Sequence, residues 1–84
     1  MNKLQAVSIF DSKAQTFTPP YFVPAVGVAI REFGSLVNDG KSLQSQYPGD
    51  FELFHLGDFD PSTGCFVPLV EPKRIVSGAD VKAK

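Results

Sequence analysis

The sequence calls for a single α+β domain in which one amphipathic helix packs on a small mixed or antiparallel sheet, in the order β-α-β-β. Three observations lead there. Residues 26–37 place apolar side chains at a period of 3.6, residues 3–10 and 51–60 read as strands, and 84 residues are enough for one core and no more. The domain is expected to span residues 1–84.

Lys3 to Phe10 (KLQAVSIF) reads as the first strand. Val7 and Ile9 face one side and Leu4, Ala6 and Phe10 the other, so the strand is expected to be central and covered on both faces. Asp11-Ser12 ends it as a turn. Residues 16–24, TFTPPYFVP, hold three prolines, each of which pushes the preceding residue toward extended backbone. An irregular, polyproline-like segment presenting Phe17, Tyr21 and Phe22 is expected there. In the helix, Val26, Ala29, Ile30, Phe33, Leu36 and Val37 fall at i, i+3, i+4, i+7, i+10 and i+11. Pro24 suits its start and Asn38-Asp39-Gly40 its end. Residues 41–50 read as a polar loop. Phe51–Asp60 (FELFHLGDFD) is a second strand, Asp60-Pro61-Ser62-Thr63-Gly64 a tight turn, and Cys65–Val70 its antiparallel return. Pro68 cannot donate to a ladder, which puts that strand at an edge or a bulge. Ile75-Val76 offer a short last strand, and residues 73–84 are expected as a frayed basic tail.

Composition narrows the function classes. The chain is 43% apolar and 20% charged, with eight Phe, two Tyr and no Trp, so it is globular with a largely aromatic core. Small domains of this kind gain stability by dimerising, and a homodimer is expected. The lone Cys65 cannot form an internal disulfide and fits a reducing compartment. No apolar run approaches the ~18 residues that cross a bilayer, and no signal peptide is evident. Cytoplasmic location with no membrane partner follows. The net charge of −1 is unevenly spread. Lys3, Lys13, Arg31 and Lys41 against Asp11, Glu32 and Asp39 leave residues 1–49 at +1. Asp50, Glu52, Asp58, Asp60 and Glu71 leave residues 50–71 at −5, and Lys73, Arg74, Lys82 and Lys84 against Asp80 leave the last thirteen at +3. That is not the balance of a strong duplex binder, so any nucleic-acid contact must come from a local patch.

Catalytic patterns do not assemble. Asp58-x-Asp60 begins like a calcium loop, but Thr63 and Leu69 stand where that loop needs Gly and Glu. His55 and Cys65 are too few for a metal site, and as a nucleophile and base they lack an orienting third group. There is no phosphate-cradling glycine loop. No enzyme, cofactor or metal is expected. Two features point to binding instead. From Lys13 to Phe22 a cation precedes three aromatics on extended backbone, the means by which single strands are held: bases on rings, phosphates on cations. Phe17 and Phe22 either plug the core or stand exposed, and Tyr21 is the better candidate for exposure. On the helix, Gly27, Arg31, Gly34 and Asn38 share a narrow stripe. Two interior glycines each cost about 1 kcal/mol against alanine, which calls for close approach of a dimer mate, a nucleic acid or a loop of this chain.

The blocks VSIFDSKAQTF, PPYFVP, AIREF, VND, YPGDFELFHLGDFD and the TG turn resemble, in order and spacing, the small nonstructural protein of the gokushoviruses, single-stranded-DNA phages of the microvirus family. The resemblance runs from about Val7 to Val70. It implies a protein of the infected bacterium's cytoplasm, absent from the mature capsid, and a DNA-binding role in replication or in the switch to single-strand synthesis and packaging. Its carry-over falls on Lys13 and Arg31. The resulting expectation is weak, non-specific binding of single-stranded DNA, with Lys3, Lys13, Arg31, Lys73 and Arg74 on phosphates and Tyr21 and Phe22 on bases. The binding face is expected on the helix and proline-rich side. The alternative is a protein–protein adaptor for the phage replication protein or a host factor, using the proline-rich segment, the acidic hairpin and an open edge at Cys65–Val70.

Overall fold

Alternation along the first strand divides the molecule into two unlike faces. The computed structural model describes residues 3–83. It contains strands β1 (Leu4–Asp11), β2 (Thr16–Phe17) and β3 (Tyr21–Val23), helix α1 (Val26–Val37) and a short helix α2 (Leu43–Gln46). A 3-10 turn (Pro48–Asp50), strands β4 (Phe51–Asp60) and β5 (Cys65–Ser77) and a last short helix α3 (Gly78–Val81) follow. All the strand pairings among the described residues are antiparallel. β1 is central, with β4 on one side, β2 and β3 in line on the other, and β5 beyond β4. The domain is therefore α+β, and its sheet is antiparallel and not mixed.

The apolar stripe of α1 covers one face of this sheet. Ala29, Phe33 and Val37 meet Val7 and Ile9 of β1, Val23 of β3, and Phe51 and Leu53 of β4, all buried. The i, i+4 spacing of the helix residues and the i, i+2 spacing of the strand residues present flat rows that interlock. Tyr21, Val28, Ile30, Leu36, Ile75, Val76 and Val81 close the rim of the core.

Three segments differ from expectation. Residues 16–24 are not wholly irregular. β2 pairs Phe17 with Phe10, and β3 pairs Tyr21, Phe22 and Val23 with Val7, Ala6 and Gln5. The edge breaks only at Thr18-Pro19-Pro20, because two prolines in a row supply no N–H. Residues 41–50 hold α2, capped by the Ser42 hydroxyl, and the 3-10 turn. Residues 73–83 are not a frayed tail. β5 runs through Pro68 and Pro72 to Ser77 as an edge strand, and the prolines fit because the register slips between His55 and Gly57. Gly57 faces Pro68 and His55 faces Lys73, so Leu69, Val70, Glu71 and Pro72 stand opposite Leu56 alone. Residue 84 lies outside the described residues.

Candidate functional site

The pleat that sends Val7 and Ile9 into the core sends Leu4, Ala6, Ser8 and Phe10 to the other face. Cross-strand partners on that face are Phe17 opposite Phe10, Phe54 opposite Ser8, Phe22 opposite Ala6, Phe59 opposite Leu4 and Phe66 opposite Phe59. Six of the eight phenylalanines thus share the face that α1 does not cover; Phe33 and Phe51 are the two in the helix-side core. The rings pack in two groups. Phe10, Phe17 and Phe54 form a triad with centroids 4.8, 5.2 and 6.0 Å apart, and Phe22 tilts against Phe59 at 5.4 Å. The outward rings remain open to solvent: Phe17 is 39%, Phe66 46% and Phe22 47% exposed.

Local chemistry fixes this surface. Ser8, fully buried between the two ring groups, donates its hydroxyl to the Thr18 carbonyl at 2.6 Å, while the Ile9 N–H donates to the Thr18 hydroxyl at 3.1 Å. These bonds hold the edge at the point where Pro19 and Pro20 cannot. Asp11 closes the β1–β2 turn by accepting from the N–H groups of Lys13 (2.9 Å) and Ala14 (3.2 Å), which sets Lys13 just beyond the triad. Gly57 is the site of closest backbone approach. A Cβ there would lie 2.6 Å from the Val67 carbonyl oxygen and 2.9 Å from the Phe66 ring, so its absence lets that ring lie across the sheet.

The acidic hairpin does not make this face acidic. Asp58 and Asp60 flank Phe59 and therefore point to the opposite side. There Asp58 accepts from His55 Nε2 at 3.2 Å and Asp60 accepts from the Ser62 hydroxyl and N–H. Hydrogen bonds from Ser62 lower the Asp60 pKa, with Lys3 nearby adding to the effect. Glu52, opposite Phe10, is paired with Arg74 Nε at 2.6 Å.

The residues singled out in the sequence fall into three sets. Phe22 belongs to the aromatic face and Lys13 follows β1 at its end, whereas Lys3, next to Leu4, turns to the opposite side near Asp60; both lysines are exposed. Lys73 is exposed on the edge strand β5. Tyr21 is a correction: alternation with Phe22 turns it toward the helix-side core, where burial and then the Glu32 charge raise its pKa. Arg31 is exposed, but on α1, across the sheet from the rings, so the helix and the proline-rich aromatics do not form one face. Arg74 is taken up by Glu52 and by Asp80 at 3.3 Å; the Glu52 hydrogen bond leads the causes that raise its pKa. The small-residue stripe meets this chain's own C-terminal segment. Gly27 has open space beyond it, Gly34 faces the Val81 Cβ at 3.9 Å, and the Asn38 amide donates to the Gly34 and Val81 carbonyls and accepts from the Ala83 N–H.

Among the described residues there is no enclosed pocket and no group of three or more His, Cys, Asp or Glu side chains close enough to hold a metal ion. No helix among them is long and apolar enough to cross a membrane. What the molecule offers is a surface. A family model described as Phage ORF5 protein matches residues 4–81. The chain belongs to that family. No curated protein and no solved structure matches it. It is therefore a small phage protein, and the segment shared with the Phage ORF5 family runs from the first residue of β1 to the last of α3, taking in every ring of the aromatic face.

Sequence reasoning passed over Phe10, Phe54, Phe59 and Phe66 as members of this surface. The signal was present in Tyr21-Phe22-Val23: with Val23 in the core, the intervening Phe must point the other way.

Proposed function

We propose that this phage protein is a non-enzymatic accessory factor that binds single-stranded DNA, without sequence specificity, on the aromatic face of its sheet. It would act in viral DNA replication or in the switch to single-strand synthesis and packaging, in the cytoplasm of the infected bacterium. The observation that carries the reading is the set of exposed Phe17, Phe22 and Phe66 rings on a sheet face that no helix covers. Bases of any identity present a π-face, so stacking on such rings is sequence-tolerant and strengthens binding by about 1–3 kcal/mol per base. Lys13, exposed just beyond the ring triad, supplies a cation for phosphates, while Lys3 and Lys73 stand exposed on the other side of the sheet. The resemblance to gokushovirus nonstructural proteins supports the same reading.

Fluorescence anisotropy of a labelled single-stranded oligonucleotide, at low and physiological salt and with a duplex competitor, tests it. Affinity should fall with salt at about 0.7 log units per log unit for each phosphate held. Phe22→Ala and Lys13→Glu should each weaken binding, whereas Arg31→Glu, on the far side of the sheet, should leave it nearly unchanged. Absence of binding at low salt, or binding indifferent to salt, overturns the reading.

One observation favours a second reading, a protein–protein adaptor. Val70 is wholly exposed at the tip of the β5 bulge, between Pro68 and Pro72. An adaptor for the phage replication protein or a host factor would lose its partner on Val70→Asp and show no response to oligonucleotide.

A further inference from the structure

We infer that the aromatic face carries two separate base-stacking platforms held at a fixed distance, so that one DNA strand is gripped at two points and short fragments at only one. The inference rests on the reading of this face as a single-strand site. The Phe10–Phe17–Phe54 triad and the Phe22–Phe59 pair are distinct groups, and no ring contact joins them among the described residues. Along β1 no ring stands between them: the buried Ser8 hydroxyl lies 3.0 Å from that of half-buried Thr18.

Their spacing follows from register. Phe17 stands opposite Phe10 and Phe22 opposite Ala6, both on β1. Four steps along a strand at about 3.3 Å each separate the platforms by about 13 Å. The separation is rigid because the Thr18 bonds to Ser8 and Ile9 pin the edge, and Pro19 and Pro20 have fixed φ. A stacked strand advances about 3.4 Å per nucleotide, so about four nucleotides reach from one platform to the other, and fewer when the strand is stretched. Once one base is stacked, the second platform meets the strand at high effective concentration, which raises affinity without any new kind of contact.

Labelled oligothymidylates from a dinucleotide to a dodecamer, titrated by anisotropy, test this. Affinity should rise by about 100-fold in a step between the dinucleotide and the hexamer, then climb only gently. Phe17→Ala and Phe22→Ala should each remove the step while leaving dinucleotide affinity within a few-fold, since the other platform remains. Insertion of Gly-Gly between Pro19 and Pro20, with folding checked by circular dichroism, should leave the step at the same strand length, because both platforms are registered on β1; a step that moves overturns the spacing. Long strands that bind without a step, or variants whose losses are the same at every length, overturn the two-platform arrangement and leave the single-strand reading standing. No binding at any length overturns both. A Phe22→Ala variant that changes from dimer to monomer with no change in oligonucleotide affinity also overturns it, because a second copy of the chain would then cover the face.

Discussion

Position 57 is where one missing atom group shapes the surface. With the Val67 oxygen, Pro68 Cα and Phe66 ring all within 2.9 Å of where a Cβ would sit, Gly57→Ala must push β5 and its bulge away from β4. The variant should lose about 1–3 kcal/mol, the usual cost of overpacking, in urea denaturation, and the Phe66 ring should shift in an aromatic NMR spectrum. Gly27 gives the opposite expectation: nothing lies within 4 Å of its missing Cβ, so Gly27→Ala should raise stability by about 1 kcal/mol through helix propensity alone. An unchanged or lowered urea midpoint would contradict it. Sequence spacing showed that Gly27, Gly34 and Asn38 line one stripe, but not what that stripe meets. Asn38 is engaged by backbone groups 43 and 45 residues downstream, a partner that no local pattern encodes.

The C-terminal elements hold together by caps and charge. The Ser77 hydroxyl accepts from the Asp80 N–H and the Asp80 carboxylate accepts from the Ser77 N–H, a reciprocal box that starts α3, while Arg74 ties the same carboxylate to Glu52. Gly78 lets α3 sit on the Pro48 carbonyl, where any side chain would collide. The hydrogen bonds from Ser77, and then Arg74, lower the Asp80 pKa; the Ser42 and Lys41 amides lower Asp39 and the Ser62 groups lower Asp60. A carboxylate whose folded pKa lies below its unfolded value contributes stability above the unfolded value, and that contribution is lost as pH falls through the folded one. Stability should therefore hold from neutrality to about pH 4 and fall below it. The protection of the residue 78–81 amides, exchange taken relative to the unstructured rate at the same pH, should fall on acidification below about pH 4, and Asp80→Asn should abolish that fall. Replacing the cap, Ser77→Ala, should cost about 1 kcal/mol. Pro68 was legible as an edge or bulge residue, as β5 shows, but the strand's continuation past Pro72 was not, because a second proline looks like a strand end until the slipped register gives it a bulge to occupy.

Taken whole, the molecule is a long, thin slab, 41 × 23 × 17 Å, with helices on one side of its sheet and rings on the other. Its α+β architecture was legible because the helix stripe and β4 rest on local periodicity; the second aromatic layer was not, since which face a ring takes depends on cross-strand register. Both sheet edges carry proline pairs, Pro19-Pro20 on one and Pro68 with Pro72 on the other. Prolines at an edge discourage strand-to-strand association, so two copies of the chain would meet through the aromatic face and not edge to edge. The two sides of the sheet then make opposite demands on the same residue type. Phe33 is 1% exposed at the centre of the helix-side core, and Phe33→Ala should cost about 3–5 kcal/mol. For a domain of this size, whose whole stability is about 4–13 kcal/mol, that is enough to leave much of the protein unfolded at 37 °C. Phe22 is nearly half exposed, so Phe22→Ala should shift the melting temperature by only a few degrees while lowering affinity for strands that reach both platforms by about 100-fold. Thermal melts and oligonucleotide titrations on both variants decide the matter. If Phe22→Ala melts as early as Phe33→Ala, the second face is another core whose rings serve stability; if it melts late and binds poorly, the rings are kept exposed for a ligand.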